Sequence, residues 1–247
     1  MLIALFSDIH ANRQALSACL SQARAQGAER LVFLGDLVGY GGDPGWVVER
    51  VMAEMESGSI SILGNHDEAA VTGKTGDMNA SAAAAILWTH AELSSAQRDF
   101  LASMPLSVLE DDRLYVHASP RDAAEWPYVK DAEDAATALS ATPARIAFCG
   151  HLHLPALFGV TAAGKLATFI PQSSTAIPLM KPRRWLARLG AVGQPRDGDP
   201  AAAWALLNSQ TGEIRYMRTP YDIEGAQRAI RAAGLPERLA LRLAGGQ

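Results

Sequence analysis

Five short clusters of carboxylate, amide and imidazole side chains each follow an apolar run of the sequence. In chain order they are Asp8-Ile9-His10, Gly35-Asp36, Gly64-Asn65-His66-Asp67, His117 and Gly150-His151-Leu152-His153. The chain has six histidines, and five of them lie in these clusters. Chance placement does not readily explain that concentration, so we treat the clusters as parts of one site.

The cluster residues have the types that bind divalent metal ions. Imidazole nitrogens and carboxylate oxygens suit first-row divalent ions, and one carboxylate can bridge two of them. Two ions about 3.5–4 Å apart can clamp a phosphate and lower the pKa of a water to about 7. The resulting hydroxide would attack phosphorus in line, and a nearby imidazole would protonate the leaving oxygen. The clusters therefore predict hydrolysis of a phosphate ester.

Each cluster by itself also has an ordinary explanation. Asp8 alone could be a turn residue, and Gly35-Asp36 alone is a common turn dipeptide. The pair His151 and His153 is more specific, because alternating side chains of an extended segment place both rings on one side. The prediction rests on the joint occurrence of the clusters at the ends of successive predicted strands.

Two reactive residue types are expected to lie outside this site. His90 falls on a predicted helix, so we expect a packed or surface histidine there. Cys149 is expected to pack in the core rather than act as a nucleophile or ligand. The sequence has no G-x-S-x-G elbow and no Walker loop, which argues against those two chemistries.

The elements that must position the clusters alternate between strands and helices. The runs "LIALF", "RLVF" and "ISIL" predict strands buried on both faces. Apolar residues at helical spacing lie between them, first over 15–23, with Asn12 as the cap and Gly27 as the stop, and then over 47–55. This β-α-β order implies parallel strands, and ligands bind beyond the carboxyl ends of such strands. The clusters are therefore expected to meet at one sheet edge.

The rest of the chain predicts further helices and antiparallel hairpins. Helices are expected over 81–93 and 132–140, and a shorter helix between them is expected to end at Met104. Two short helices are expected to close the chain, the first of them capped by Asp222. Hairpins are expected to turn at Asp111-Asp112, Ala163-Gly164 and Thr211-Gly212. We expect a single domain over 1–247, with a motif core over 1–155 and antiparallel strands with two helices over 156–247.

Composition limits the partners and the compartment. The net charge of −4 argues against an extended nucleic-acid surface, which would need an excess of basic residues. Two cysteines far apart in the sequence form no disulfide framework and suit a reducing compartment. The first residues lack the basic region of a signal peptide, and no apolar run approaches the roughly 18 residues of a membrane span. We expect a cytoplasmic protein that acts on a small phosphorylated substrate, and the sequence leaves its oligomeric state open.

The motifs "SDIHAN", "LGDLVGYGGDP", "LGNHD", "VHAS" and "GHLH" resemble, in order, the five blocks of the calcineurin-like metallophosphoesterases. The resemblance covers at least residues 3–155. The later stretch "GAVGQPRDGDPAAAWALL" resembles the end of a small bacterial and archaeal branch of predicted phosphoesterases. The resemblance implies an α/β fold, a four-layer α/β/β/α sandwich of two mixed sheets with a dinuclear metal site at the sheet edge.

The resemblance also implies seven metal ligands. The first ion would be held by Asp8, His10 and His153. The second ion would be held by Asn65, His117 and His151. Asp36 would bridge the two ions. Nitrogen and oxygen ligands without thiolate fit two divalent ions chosen from Mn, Fe, Zn, Co and Ni.

The same resemblance implies the catalytic residues. His66 would contact phosphate and serve as the general acid, and Asp67 or Asp36 would orient it. Two arginines, Arg121 and Arg196, are candidates for binding phosphate oxygens bidentately. The alternative is that each forms a solvated salt bridge with its neighbouring aspartate.

The sequence departs from the family pattern in the second block and near residue 190. The second block lacks the Asp-Arg-Gly of Ser/Thr protein phosphatases, so its phosphate-clamping arginine is absent. Residues 188–191 are Arg-Leu-Gly-Ala, where the bacterial branch often has Asn-Pro-Gly-Ser, so hydrogen bonds of that Asn or Ser would be lost. The basic stretch "MKPRRW", 180–185, is expected either to flank the mouth of the site or to form a solvated loop.

We therefore expect a dinuclear metal-dependent phosphoesterase that hydrolyses a small phosphomonoester, phosphodiester or nucleotide by metal-activated hydroxide attack. Loops around 73–90, 121–130 and 180–197 are expected to form the pocket walls. A protein Ser/Thr phosphatase is the alternative activity, disfavoured by the missing Asp-Arg-Gly. A non-catalytic scaffold of the same fold is a further alternative, disfavoured because every ligand position holds a suitable residue type.

Overall fold

The computed structural model describes residues 1–247 and contains twelve strands and eight α-helices. The strands are β1 (Leu2–Phe6), β2 (Arg30–Phe33), β3 (Ile60–Ser61), β4 (Ser107–Glu110), β5 (Arg113–Val116), β6 (Ile146–Cys149), β7 (Ala156–Thr161), β8 (Leu166–Phe169), β9 (Ala176–Pro178), β10 (Arg183–Arg188), β11 (Ala202–Asn208) and β12 (Glu213–Thr219). The helices are α1 (Arg13–Ala25), α2 (Pro44–Met55), α3 (Asn65–Thr72), α4 (Ala80–Glu92), α5 (Ser95–Ser103), α6 (Ala132–Ser140), α7 (Ile223–Ala232) and α8 (Glu237–Gly245). The two sheets have six strands each.

Both sheets are mixed, and parallel strands lie inside each of them. The first sheet has the order β3-β2-β1-β11-β12-β9, and its strands β1, β2 and β3 are parallel. The second has the order β4-β5-β6-β10-β7-β8, and its strands β5, β6 and β10 are parallel. The predicted hairpins supply the antiparallel pairs β4–β5, β7–β8 and β11–β12.

The apolar residues of β1 show why the sheets stack between helices. Ile3 and Leu5 lie in the core between the two sheets, whereas Ala4 and Phe6 pack towards α1 and α2. Successive side chains of a strand point to opposite faces, so a continuous apolar run supplies two layers at once. A third core joins the outer face of the second sheet to α6. The predicted four-layer α/β/β/α sandwich is confirmed.

Capping residues in the sequence correctly predicted where helices α1 and α7 begin. Asn12 Oδ1 accepts a hydrogen bond from the backbone N–H of Ala15, and Asp222 Oδ1 accepts one from Gly225. Helix α6 covers the predicted range 132–140. The third strand is shorter than expected, because the motif that follows it is helical. Asn65, His66 and Asp67 form the first turn of α3 rather than a loop.

The solvated-loop alternative for residues 180–185 holds only for its first half, because residues 180–182 form an exposed turn. Arg183, Arg184 and Trp185 begin β10, which lies at the centre of the second sheet. Trp185 pairs with Ile146 at the start of the parallel strand β6, so this stretch lies at the opposite end of the sheet from His151. Its strand half is therefore not a solvated loop, and the stretch does not flank the mouth of the site. The sequence pattern did not predict this strand, because the charged arginines interrupt its apolar residues.

The C-terminal helices form a hairpin that closes over one side of the site. Helices α7 and α8 share an apolar cluster that also contains Tyr40 and two alanines of α4. This contact brings the last segment of the chain beside the loop that follows β2. None of the eight helices combines the length and the apolar character needed to cross a membrane.

Candidate metal centre and active site

The five clusters converge, but they come from two sheets rather than from one edge. The loops after β1, β2 and β3 leave the first sheet, and the loops after β5 and β6 leave the second. The backbone N–H of His151 donates to both carboxylate oxygens of Asp8 at 3.1 Å. His117 Nδ1 lies 2.7 Å from the Leu34 carbonyl oxygen. These contacts connect the two sheets directly at the site.

The first group of facing ligand atoms joins Asp8, His10 and His153. The Nε2 atoms of His10 and His153 lie 3.1 Å apart. His153 Nε2 is also 3.4 Å from Asp8 Oδ1. All three residues are buried, as metal-binding side chains that exclude bulk water would be.

The second group joins Asp36, His117 and His151. His117 Nε2 lies 3.2 Å from His151 Nδ1 and 3.2 Å from Asn65 Oδ1. Asp36 Oδ2 is 3.4 Å from His117 Nε2 and 3.7 Å from His10 Nε2 in the first group. One oxygen of Asp36 therefore faces both groups.

Hydrogen bonds determine which nitrogen of three histidines faces the site. The Nδ1 atoms of His10, His117 and His153 lie 3.0, 2.7 and 2.7 Å from backbone carbonyl oxygens. A carbonyl can only accept, so each Nδ1 carries a proton and each neutral ring leaves an unprotonated Nε2. Lone pairs of His10 and His153 then face each other across 3.1 Å. A backbone carbonyl that orients a histidine in this way is typical of metal ligation, so the donor set fits two divalent cations.

The electrostatics favour positive charge between the two groups. Burial lowers the pKa of His10 and His153 well below the usual range, and it leaves neutral imidazoles, the form that binds metals. Burial opposes ionisation of Asp36, but His117 and His66 outweigh it, and its pKa falls well below the usual range. Burial also works against a charged His117, yet Asp36 outweighs it and raises its pKa to about 9.

Several of these residues have backbone conformations that L-amino acids rarely adopt. Asp8, His10, Asp36, His151 and His153 have φ angles of 55°, 48°, 52°, 67° and 63°. Residues held in the left-handed region cluster at functional sites, where the surrounding structure stabilises the strain. The loops thus direct these side chains toward a common point, and the strained backbone conformations cost conformational free energy.

One glycine permits the two sheets to approach. A Cβ at Gly150 would overlap Ser7 Oγ and lie 2.5 Å from Asp8 Oδ2. Only a residue without a side chain allows the loop after β6 to pass so close to the loop after β1.

His66 lies beside the metal-binding groups, and Asp67 does not hydrogen-bond to its ring. The His66 ring packs 4.9 Å from the His10 ring and 4.5 Å from the Tyr40 ring, and its buried Nδ1 has no hydrogen-bond partner. Asp67 Oδ1 and Oδ2 accept from the backbone N–H groups of Val38 and Gly64, at 3.1 and 3.0 Å.

Asp36 reaches His66 only through the backbone. Asp36 Oδ1 accepts the His66 N–H at 2.8 Å. Neither carboxylate contacts the His66 imidazole in the way we expected from the motif. Burial, followed by the charge of Asp36, raises the pKa of Asp67 to about 8. Asp67 thus connects the loop after β2 to the start of α3 through these two hydrogen bonds.

The two candidate arginines have different surroundings. Arg121 is exposed, and its Nε lies 3.5 Å from Asp122 Oδ2, which matches the salt-bridge alternative. Arg196 is half-buried, donates to Gln194 Oε1 at 2.9 Å, and lies with its guanidinium carbon 5.8 Å from the centre of the Tyr40 ring. Its neighbour Asp197 pairs with Arg218 instead. Only Arg196 therefore lies next to His66 and the metal-binding groups.

A cleft of about 740 Å³ opens beside His66 and Asn65. Residues 72–79 and 125–128 contribute to its walls, so two of the three expected loops line it. Tyr128 stacks on the His151 ring with 4.2 Å between centroids. The Trp126 ring lies 5.8 Å from the His117 ring, and its indole N–H donates to Glu68.

Three aromatic residues near the ligands were not among the predicted site residues: Tyr40, Trp126 and Tyr128. A sequence signal for Tyr40 was present, because it is surrounded by glycines in "GYGG". In the structure its φ angle is 61°, in the left-handed region. His90 and Cys149 lie outside the site, as expected. His90 Nδ1 contacts the Ala70 carbonyl oxygen at 2.7 Å. Burial raises the pKa of the Cys149 thiol to about 12.

Comparisons with known proteins agree with this geometry. Residues 1–212 match the model of the calcineurin-like phosphoesterase superfamily domain. The chain therefore belongs to this family and is a metal-dependent phosphoric ester hydrolase. This finding confirms the resemblance in the five motifs.

Relatives match over nearly the full length. An uncharacterized protein from Methanocaldococcus jannaschii is 33% identical over 98% of this chain and 97% of its own length. The crystal structure of a metallophosphoesterase from Sphaerobacter thermophilus is 36% identical, with a TM-score of 0.88 over 100% of this chain and 99% of that one. A hypothetical protein from Pyrococcus horikoshii has a TM-score of 0.78 at 18% identity, over 100% of this chain and 98% of that one, and shares the fold.

Proposed function

We propose that the protein hydrolyses a small phosphomonoester, phosphodiester or nucleotide at a dinuclear metal centre. The observation that carries the proposal is the position of Asp36 Oδ2, which lies 3.4 Å from His117 Nε2 and 3.7 Å from His10 Nε2. A carboxylate oxygen that faces two sets of imidazole nitrogens is placed as a bridging ligand would be. The facing lone pairs of His10 and His153 support the same conclusion.

In this proposal the seven ligand residues are distributed between two metal ions as the family motifs imply. Asp8, His10 and His153 would hold one ion. Asn65, His117 and His151 would hold the other, and Asp36 would be shared between the two groups. When bound, two divalent ions supply charge that neutralises phosphate oxygens and lowers the pKa of water to about 7. The donor set admits Mn, Fe, Zn, Co and Ni.

His66 acts on the leaving group in this scheme. Its ring lies at the wall of the cleft, and its Nδ1 has no protein partner, so a ring nitrogen remains available to hold a proton. His66 is also in the first turn of α3, where the helix dipole favours an anion. Asp67 positions this turn through its two backbone hydrogen bonds. We assign to Asp67 a positioning role rather than proton transfer.

We assign to Arg196, rather than to Arg121, the binding of the substrate's phosphate group. It combines proximity to Tyr40 and His66 with a buried Nε that has no hydrogen-bond partner. Arg121 pairs with Asp122 in solvent, so we place it outside the binding site.

The test is turnover after controlled metal removal. Chelator-stripped protein would receive Mn, Fe(II), Zn, Co, Ni or Mg singly, with an aryl phosphomonoester and a bis-aryl phosphodiester as substrates. We expect one or more ions to restore turnover, and we expect Asp36→Asn to reduce that turnover at least 100-fold. The ratio of monoester to diester rates then chooses between phosphatase and phosphodiesterase. Turnover that survives both chelation and Asp36→Asn would contradict the proposal.

A further inference from the structure

Three arginines line a second cleft next to the proposed active site. Arg196, Arg238 and Arg242 surround a space of about 550 Å³ together with Tyr40 and Asn79. Arg196 precedes β11, whereas Arg238 and Arg242 lie one turn apart on α8. Residues more than 40 positions apart in the chain thus bring positive charge to one place.

The hydrogen-bond partners of Arg196 and Arg238 are uncharged amide oxygens. Arg238 donates to Asn79 Oδ1 and Arg196 to Gln194 Oε1. Arg242 donates to a main-chain oxygen of Gln247, the last residue of the sequence. The Nε of Arg196 is buried without a hydrogen-bond partner.

The arginines of the adjacent helix α7, in contrast, have side-chain carboxylate partners. Arg228 has carboxylate oxygens of Asp222 and Glu224 at 3.5 and 3.7 Å, and Arg231 pairs with Glu237 at 2.7 Å. The same helical hairpin therefore pairs the arginines of α7 with side-chain carboxylates, whereas neither arginine of α8 pairs with a side-chain carboxylate.

The three guanidinium groups are close enough to affect one another. Burial lowers the pKa of Arg242 most, and the charges of Arg196 and Arg238 lower it further. Like charges held together without a counter-ion repel, and the repulsion is stronger where solvent is partly excluded. An anion in the cleft would remove that repulsion.

The arginine cleft adjoins the cleft at the metal centre. Tyr40 and Asn79 line both. The Tyr40 ring is 4.5 Å from the His66 ring and 5.8 Å from the Arg196 guanidinium carbon. A ligand that extends past this one ring would contact both His66 and the arginines.

We propose that the arginine cleft binds a second phosphoryl group of the substrate, so that preferred substrates carry one phosphoryl group at the metal centre and another at Arg196, Arg238 and Arg242. The inference rests on the proposed function, because the first group must be the one that is hydrolysed. Planar guanidinium groups bind phosphate oxygens bidentately, which gives both affinity and direction. The substrate class is therefore small bisphosphorylated or diphosphate compounds.

The test compares substrates that differ in one phosphoryl group. We would measure kcat/KM for adenosine 5′-monophosphate, adenosine diphosphate and adenosine 3′,5′-bisphosphate with the metal-loaded enzyme. In R238Q/R242Q, the ratio of the better two-phosphoryl substrate to the monophosphate should fall by about tenfold or more, the usual effect of losing charged hydrogen bonds. The matched control R228Q alters an exposed arginine of the same hairpin, and its ratio should stay within twofold of wild type. Melting temperatures would verify that both variants fold.

A binding measurement separates this inference from the proposed function. Calorimetry with α,β-methylene adenosine diphosphate, which has a non-hydrolysable P–C–P linkage, should show a Kd at least tenfold higher in R238Q/R242Q than in R228Q. If no substrate is hydrolysed but this difference persists, the subsite stands and the proposed function fails. If substrates are hydrolysed but neither the ratio nor the Kd changes, the subsite is wrong. A change only in inhibition by inorganic phosphate would mean that the cleft holds a free anion, and it would also overturn the inference.

Discussion

The Nε2 atoms of His10 and His153 lie 3.1 Å apart, although 143 positions separate the two residues in the chain. Each ring places its Nδ1 against a backbone carbonyl, so both facing nitrogens carry lone pairs when the rings are neutral. Two lone pairs at this distance repel unless a cation lies between them. The folded protein is therefore arranged so that metal binding stabilises it.

Removal of metal should lower thermal stability. A ligand at about 100 times its Kd stabilises the folded state by about 2.7 kcal/mol, which corresponds to about 5–10 °C for a chain of this size. We expect chelation to lower Tm by that amount and a restoring divalent ion to reverse the change. Differential scanning fluorimetry of the two preparations measures it. An identical Tm before and after verified metal loss would contradict the assignment.

His66→Ala should separate turnover from metal binding. His66 is outside both groups of candidate ligands, so its removal should leave the metal content unchanged. Loss of a proton donor should reduce kcat by about 10²–10⁴. Elemental analysis and steady-state kinetics measure the two effects. His90→Gln is the matched control, because His90 lies on α4 away from the ligands, and it should retain both properties.

Asp67→Ala should destabilise the fold and slow turnover without removing a ligand. The substitution leaves the N–H groups of Val38 and Gly64 without their acceptor, which should reduce the free energy of unfolding by about 2–3 kcal/mol. Urea denaturation measures this change. Asp67→Asn should be milder, since the amide oxygen can still accept one bond. Equal stability of both variants and wild type would show that the two hydrogen bonds do not matter.

Arg188→Met should be strongly destabilising although it replaces a charge with an apolar side chain. The buried guanidinium of Arg188 donates to the carbonyl oxygens of Leu154, Val129 and Lys130. Those acceptors would lose their partner, and we expect a loss of about 3 kcal/mol in urea unfolding. Arg215→Met, at an exposed position of β12, should change stability by no more than about 0.5 kcal/mol. Similar losses in both variants would mean that burial of Arg188 is not the cause.

Arg196→Ala and Arg121→Ala should have different kinetics. Loss of Arg196 removes a half-buried guanidinium beside Tyr40, and KM for an aryl phosphate should rise about tenfold. Arg121 pairs with Asp122 in solvent, so its loss should change KM by less than twofold. Steady-state kinetics of both variants measure the two KM values. A larger KM increase in Arg121→Ala than in Arg196→Ala would mean that Arg121, rather than Arg196, binds the phosphate.

The amino-acid sequence alone determined the elements and the residue types of the site. Apolar runs and helical spacing located β1, α1 and α6, because the period of the side-chain pattern follows from local backbone geometry. The order of the motifs likewise indicated the family and the residues now found together. The elements and each single motif depend on residues within a few positions of one another, and the order of the motifs can be read along the chain without the fold.

Tertiary structure alone decided where each element lies and what the charged residues do. Strand β10 has three arginines, and it is central only because pairing with β6 and β7 buries it and distant carbonyls satisfy Arg188. The contact of His151 with Asp8 joins two sheets, and no local pattern encodes which sheets face each other. The same holds for the arginine cleft, because α8 lies beside Tyr40 through packing between distant segments. Local periodicity specifies which faces must be buried, whereas long-range packing decides which faces meet.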